Sequence, residues 1–136
     1  MAGKKVVDAV AARLAANWTL CAIIDDDTSG QGTGDGKPYV TIEYPVSAEN
    51  QITVGAPGNN VFRESGAFRI VLSFSTGSGL SQPLDWIDQL RALFRGKQFD
   101  GVTTWAPSPA AVDNSNYVGG RFLISFSTPY FADIFA

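Results

Sequence analysis

A run of acidic residues beginning at Asp25, DDDTSGQGTGDG, contains the residue types that could bind a divalent cation. Its carboxylates belong to Asp25, Asp26, Asp27 and Asp35. Calcium loops of the EF-hand type place oxygen ligands at alternate positions and close with a Glu, which this run does not have. Because Gly and Asp are ordinary loop residues, we favour a solvated acidic loop and assign no metal site, with weak cation binding as the alternative.

The stretch STGSGLSQP, residues 75–83, has the order strand, glycine turn and helix that phosphate-binding loops share. Such loops read GxxxxGK[ST] or GxGxxG, whereas this stretch has no Lys and only Gly77 and Gly79. Pro83 also lacks one of the N–H groups that would hold an anion at the start of the helix. The sequence therefore favours a structural turn that uses the backbone freedom of glycine.

Side chains for acid–base or nucleophilic catalysis are scarce. The chain has no His, which is the commonest general base. Cys21, the single cysteine, lies in the apolar stretch WTLCAII and is expected to be a small buried hydrophobe. Glu43, Glu49, Glu64 and Asp100 are scattered, and a carboxylate pair formed by the fold is the one catalytic arrangement left open. We therefore predict that the protein is not an enzyme and has no cofactor.

The length and charge of the chain bound its class. Residues 1–136 have the size of a single domain, and the formal net charge is −3. This acidic balance argues against a protein held on nucleic acid by phosphate contacts. Charged residues interrupt the N-terminal apolar stretch, so we expect neither a signal peptide nor a membrane span, and a soluble cytoplasmic protein is the default.

An amphipathic helix is predicted near the N-terminus, and a polar loop follows it. Apolar residues at spacings of three and four form one stripe of the helix: Val7, Val10, Ala11, Leu14 and Trp18. Residues 25–38 are rich in Gly and Asp and too polar to bury much surface, so we expect a mobile loop there.

Four strands are predicted after this loop. YVTIEYP alternates apolar and polar residues and is expected to stop at Pro45. QITVG and NVFRE are two short strands around the turn APGNN, and the octet RIVLSFST, residues 69–76, is the fourth. The octet returns as RFLISFST at residues 121–128, but the flanking segments do not match. We therefore interpret the repeat as one structural solution used twice and not as a duplicated module.

The two octets are expected to lie side by side in one sheet with an apolar inner face. That face comprises Ile70, Leu72, Phe74, Phe122, Ile124 and Phe126. A helix over residues 84–94 would pack on it through Ile87, Leu90 and Phe94. KQFDGVTTW then reads as one strand, and a long loop precedes the second octet. The expected class is an α+β domain with a mainly antiparallel sheet, an N-terminal helix and one helix packed on the sheet.

Several short motifs punctuate this order of elements. They are the YP that ends the first strand, Arg63-x-x-Gly66, Gly77-x-Gly79, the helix end Leu93-Phe94-Arg95-Gly96, and the closing Pro129-Tyr130. Over residues 9–131 the pattern resembles the tail terminator and tail-completion proteins of long-tailed bacteriophages.

The resemblance implies a structural virion protein whose subunits form a ring of six. The ring would cap the tail tube, stop its polymerisation and join the head, at the head-proximal end of the tail after assembly in the host cytoplasm. Its partners would be further copies of itself, the tail tube protein and a head-neck connector protein, with DNA only in transit and no membrane. Two alternatives remain, namely another phage neck or head–tail connector protein, and a non-viral ligand-binding α+β domain.

Two regions are candidate contact surfaces of such a ring. The hairpin of residues 51–62 offers unpaired backbone beside the sheet edges, and its candidate interface residues are Ile52, Val54, Val61 and Phe62. The other region is the acidic loop, whose carboxylates would face the DNA channel or contact the tube ring. A solvated outer loop without a role is the alternative for that segment.

Overall fold

The computed structural model describes residues 2–24, 38–75, 81–113 and 121–136. In these ranges the helices are α1 (Lys4–Asn17) and α2 (Ser81–Phe94). The strands are β1 (Ala22–Ile23), β2 (Tyr39–Gln51), β3 (Val61–Ser75), β4 (Gln98–Phe99), β5 (Val102–Thr104), β6 (Ala111–Asp113) and β7 (Arg121–Phe135). The predicted acidic loop, with Asp25, Asp26, Asp27 and Asp35, lies outside the described residues.

The strands form one sheet in the order β1-β2-β3-β7-β5-β4, and β6 pairs with β7 beyond the end of β5. β1 pairs with β2 in parallel, and every other pairing is antiparallel. Both helices pack on one face of this sheet, which we call the inner face, and the core lies between the two layers. The predicted α+β class with a mainly antiparallel sheet is confirmed.

β2 and β3 form one long hairpin, where the sequence predicted four shorter strands. β2 continues through Pro45, because Tyr44 and Pro45 together lie opposite the single residue Phe68 in a β-bulge. A bulge leaves a residue out of the hydrogen-bond ladder, so a proline without an N–H is accommodated there. The expected stop at Pro45 was therefore wrong. The short strand expected over QITVG was also wrong, because only its Gln51 belongs to β2 and the following residues form the hairpin turn.

Gly66 lies on β3 opposite the residues of β2 that follow the bulge, where the two backbones are close together. A Cβ atom at this position would lie 2.1 Å from the carbonyl oxygen of Val46, the first residue after the bulge. No side chain fits at such a distance, so only glycine permits the approach of the two backbones. This contact explains the glycine of the Arg63-x-x-Gly66 motif.

The two octets lie side by side as predicted. Ile70 is paired with Phe126, and Leu72 with Ile124, in the antiparallel register of β3 and β7. All four side chains are buried, as are the residues with which α2 was expected to pack on them, Ile87, Leu90 and Phe94. The ring of Phe94 meets that of Phe68 edge to face, with centroids 5.1 Å apart. The side chain of Phe122 lies outside the described residues.

The buried stripe of α1 is rotated relative to the prediction. Its members are Val6, Ala9, Val10 and Leu14, with Trp18 at the C-cap. Val10, Leu14 and Trp18 were predicted correctly, but Val7 is only half-buried and Ala11 is exposed. Each residue turns the helix by about 100°, so the stripe is centred nearer Val6 and Val10 than was predicted. Val7 packs against the core at the border of the stripe, and Ala11, one step beyond Val10, lies outside it.

The segment KQFDGVTTW forms a tight hairpin, β4–β5, and not the single strand that was expected. Its turn is Asp100-Gly101, with φ angles of 47° and 82°. Two consecutive residues with positive φ are the mark of a type I′ turn, for which Asp-Gly is a favoured pair. A short strand, β6, also lies within the segment predicted to be a long loop.

Candidate interaction surface

The predicted interface residues lie at one end of the sheet, on and beside the turn that joins β2 to β3. Ile52 and Val54 project from the turn and are 52% and 82% exposed. Val61 and Phe62, the first residues of β3, are half-buried. We call residues 52–60 the hairpin tip, and its two exposed aliphatic side chains make it an apolar projection.

The hairpin tip is held in one conformation by hydrogen bonds around the buried Asn60. The Asn60 Oδ1 atom accepts a hydrogen bond from the backbone N–H of Ala56 at 3.1 Å. The Thr53 Oγ1 atom accepts one from the N–H of Val61 at 2.9 Å. The backbones of Asn60 and Ala136 exchange two further bonds, of 3.0 and 2.9 Å. The exposed Val54 is therefore presented by a fixed turn.

A second apolar surface, which the sequence analysis did not identify, lies on the side of the sheet away from the helices. It is formed by outward-facing residues of β2 after the bulge, of β3 and β7 beside them, and of the end of β5, and we call it the distal outer face. Its apolar members are Val46, Ala48, Ala67, Trp105, Pro129, Phe131 and Phe135. Its polar members are Asn50, Arg63, Ser65, Thr103 and Asp133. None of these residues is buried.

The centre of the distal outer face is a stacked group of side chains. The guanidinium of Arg63 lies over the ring of Phe131, 4.5 Å from its centroid, and the ring of Trp105 lies 5.4 Å from that of Phe131. Arg63 donates two hydrogen bonds to the carboxylate of Asp133, of 2.7 and 3.1 Å. These bonds hold the pKa of Asp133 below its ordinary value and that of Arg63 above it. The pair is therefore charged on both sides, and the surface is neutral as a whole.

The outer edge of β2 is open along most of its length. Within the described ranges, only Tyr39 and Val40 have a strand partner on that side, which is β1. Backbone N–H and C=O groups along such a strand edge can pair with another chain. The expected sheet edge is thus present and borders the distal outer face.

Two of the four carboxylates considered for catalysis, Glu43 and Glu64, make contacts within the fold. Glu43 forms an ion pair with Arg69. Glu49 lies opposite Glu64 in the register of β2 and β3, but the buried Glu64 carboxylate accepts hydrogen bonds from the Tyr130 hydroxyl and a backbone N–H. Cys21 is half-buried, which raises the pKa of its thiol. No group of three or more potential metal ligands occurs in the part of the chain that the structure describes.

The arrangement of these described residues suits the binding of another protein. Two apolar surfaces and an open strand edge lie together at one end of the molecule. The sequence signal for the missed surface is the run PYFADIF in β7, which is apolar at both odd and even positions and so cannot have one polar face. None of the helices in the described ranges has the length and apolar character needed to cross a membrane.

Comparison with known proteins identifies the fold and the family of the chain. No curated protein matches the chain. Ten solved chains match, and one of them aligns with a TM-score of 0.64 at 17% identity, over 100% of this chain and 99% of its own, which shows a shared fold. The family model described as phage tail terminator protein matches residues 5–118. That match covers α2, all of α1 except Lys4, and the long β2–β3 hairpin with its bulge and tip. The chain belongs to the phage tail terminator family, a family of structural proteins of the virion tail.

Proposed function

We propose that this chain forms a closed ring, of six subunits, that caps the tail tube, stops its polymerisation and presents the surface to which the head is joined. The observation that carries the proposal is the family match over residues 5–118. The ring would lie at the head-proximal end of the tail, after assembly in the host cytoplasm. Its partners are further copies of the chain, the tube protein and a head-neck connector protein, and DNA passes through its channel.

The surfaces described above support a ring subunit. A closed ring of identical subunits uses a heterologous interface, in which one surface of each subunit meets a different surface of the next. The chain has a projecting tip with the exposed Ile52 and Val54, and a β2 edge that has no strand partner after Val40 in the described ranges. We propose that the hairpin, with Val61 and Phe62 at its base, is one side of this interface.

The acidic loop is assigned a role in the same proposal. Asp25, Asp26, Asp27 and Asp35 are concentrated in a short segment that only Lys37 offsets. Charge acts over about 8 Å at physiological ionic strength, so these carboxylates would repel DNA if they lined the channel. We propose that the loop faces the channel or contacts the tube ring.

A tube-capping experiment tests the proposed function. Tubes assembled from the tube protein alone are incubated with the purified chain, and more tube protein is then supplied. We expect treated tubes to stop growing at one end and to show a ring of extra density there in electron micrographs. Unchanged growth without a ring would overturn the proposal. A map of the intact tail would separate a terminator, which touches the last tube ring, from another neck protein that does not.

A further inference from the structure

The apolar side chains of β2 lie on the inner face before the β-bulge and on the outer face after it. Before the bulge the inner residues Val40 and Ile42 are apolar, and the outer residues Thr41 and Glu43 are polar. After the bulge the inner positions are Ser47, Glu49 and Gln51, and the outer positions begin with Val46 and Ala48. The extra residue of the bulge shifts the alternation by one and so moves apolar side chains to the face away from the helices.

An antiparallel sheet with one face in water normally shows polar residues on that face. The distal outer face departs from this rule, since Val46, Trp105 and Phe135 are 62%, 54% and 70% exposed. A contiguous exposed apolar surface bordered by polar groups is typical of a site that binds another protein. No segment among the described residues buries the distal outer face, so it is available to a partner.

The geometry of this face is already fixed before any partner binds. Arg63 is held between Phe131 and Asp133, and Trp105 lies against Phe131. Trp and Arg are the residue types that contribute most often to binding energy at protein interfaces. Side chains that are already ordered lose little conformational entropy when a partner covers them.

We infer that the distal outer face binds a second copy of this chain and receives the hairpin tip of the neighbouring subunit in the ring. The inference rests on the proposed function for the existence of the ring. A heterologous interface needs two unlike surfaces on every subunit, and the chain has an apolar projection at Val54 and a broad apolar face around Trp105. The face is neutral because Arg63 and Asp133 compensate each other, so it matches the uncharged aliphatic tip.

The area of the distal outer face is smaller than a whole subunit interface and large enough to be a substantial part of one. Four strands about 4.8 Å apart, over about six residues each, cover on the order of 400 Å². A standard interface buries about 800 Å² on each partner. The face supplies roughly half of that area, and the open edge of β2 would supply more. Free subunits would therefore associate weakly, and closure of the ring would stabilise the assembly.

Two complementary variants test the inference. The face variant is Trp105→Asp with Phe135→Asp, the tip variant is Val54→Asp, and Leu84→Asp is a control on α2, remote from both surfaces. All four substituted residues are exposed, so circular dichroism and thermal midpoints should match those of the wild type. Masses are measured by sedimentation over a range of concentrations.

We expect the wild type and the control to self-associate, and each of the two variants alone to stay monomeric. An equimolar mixture of face and tip variants should give a heterodimer and nothing larger, because only one intact interface can form between them. If the face variant by itself associates as strongly as the wild type does, the inference is overturned. If the face variant forms normal rings that no longer cap tubes, the face binds the tube protein, which also overturns the inference while the proposed function stands.

Association only on a tube end requires a second measurement. Chains carrying Val54→Cys and chains carrying Trp105→Cys are mixed on bare tubes and oxidised, with the wild type as control for the native Cys21. A covalent dimer that forms in the mixture, but not with either cysteine variant by itself or with the wild type, supports the contact. If the tubes are capped and no covalent dimer forms, the inferred contact is overturned. If the face and tip variants give the heterodimer in solution while the wild-type chain fails to cap tubes, the proposed function fails and the inferred contact remains.

Discussion

The carboxylate of Glu64 accepts a hydrogen bond of 2.8 Å from the hydroxyl of Tyr130, and both side chains are buried between the sheet and α1. The same carboxylate accepts two longer bonds, of 3.1 and 3.2 Å, from the backbone N–H of Gly3, the N-cap of α1. A negative charge at the start of a helix is favourable, because the unpaired N–H groups carry partial positive charge there. Glu64 thus connects β3 and β7 to the first helix.

Removal of the Tyr130 hydroxyl should destabilise the protein through Glu64. We expect Tyr130→Phe to lower the free energy of unfolding by about 1–3 kcal/mol, because the buried carboxylate loses its strongest donor. In a Glu64→Leu background the same substitution should cost much less, since no carboxylate is left without a partner. Urea denaturation of the four proteins measures both effects. Equal losses in the two backgrounds would show that the hydrogen bond contributes nothing.

Substitution of Gly66 by Ala should be costly because the two strands cannot separate freely at the bulge. The added Cβ would lie 2.1 Å from the Val46 carbonyl oxygen, so the backbone of one strand must move. We expect a loss of about 1–3 kcal/mol or more in the free energy of unfolding. Ser65→Ala, at the adjacent half-exposed position, is the matched control and should stay within about 0.5 kcal/mol of the wild type. Similar thermal midpoints for the two variants would contradict this account of Gly66.

Truncation of the paired core residues should cause the largest losses of stability. Leu72 and Phe126 are almost fully buried on the inner face, where α2 packs. We expect Leu72→Ala or Phe126→Ala to lower the free energy of unfolding by about 2–5 kcal/mol, as core truncations do. Leu84→Ala removes the same atoms as Leu72→Ala from an exposed site and should cost far less. Chemical denaturation would disprove the packing if the two leucine variants were equally stable.

The stability of the protein should fall in alkaline solution through Tyr44. Burial, with a smaller effect of Asp8, raises the pKa of Tyr44 to about 12, from an ordinary value near 10. A raised pKa means that the folded state favours the neutral phenol, so this contribution is complete below pH 10 and is lost as the pH rises toward 12. We expect Tyr44→Phe to reduce the decline in unfolding free energy over that interval. Denaturation curves at pH 9, 11 and 12 compare the two proteins, and identical declines would rule out the effect.

Deletion of residues 28–36 tests the role of the acidic loop. We expect the deletion to reduce the number of joined, infectious particles, because the loop is proposed to face the channel or the tube ring. Core stability should be unchanged, since a polar, Gly-rich segment of this kind buries little apolar surface. Normal tail length, head joining and DNA delivery in the deletion mutant would refute the functional role and leave a solvated loop.

The features that the sequence predicted correctly depend on local periodicity. The alternation in the two octets identified Ile70, Leu72, Ile124 and Phe126 as one inner face, and the spacing of Ile87, Leu90 and Phe94 identified the buried side of α2. Such patterns repeat every two residues in a strand and every 3.6 in a helix, so they can be read without knowing the partner. The order of elements also sufficed to suggest the family, which the match over residues 5–118 confirmed.

The features that only the tertiary structure decided depend on contacts distant in sequence. Pro45 does not end β2, because β3 pairs with residues on both sides of the bulge and Gly66 lets the strands approach. The buried stripe of α1 includes Val6 and Ala9 in place of Val7 and Ala11, since the sheet beneath the helix determines which side is covered. The bulge itself moves Val46 to the outer face beside Trp105. The sequence of β2 does not show where its alternation shifts by one residue, because the position of the bulge depends on the strand that pairs with it. The distal outer face is therefore formed by strand pairing, which brings together residues that are distant in the sequence.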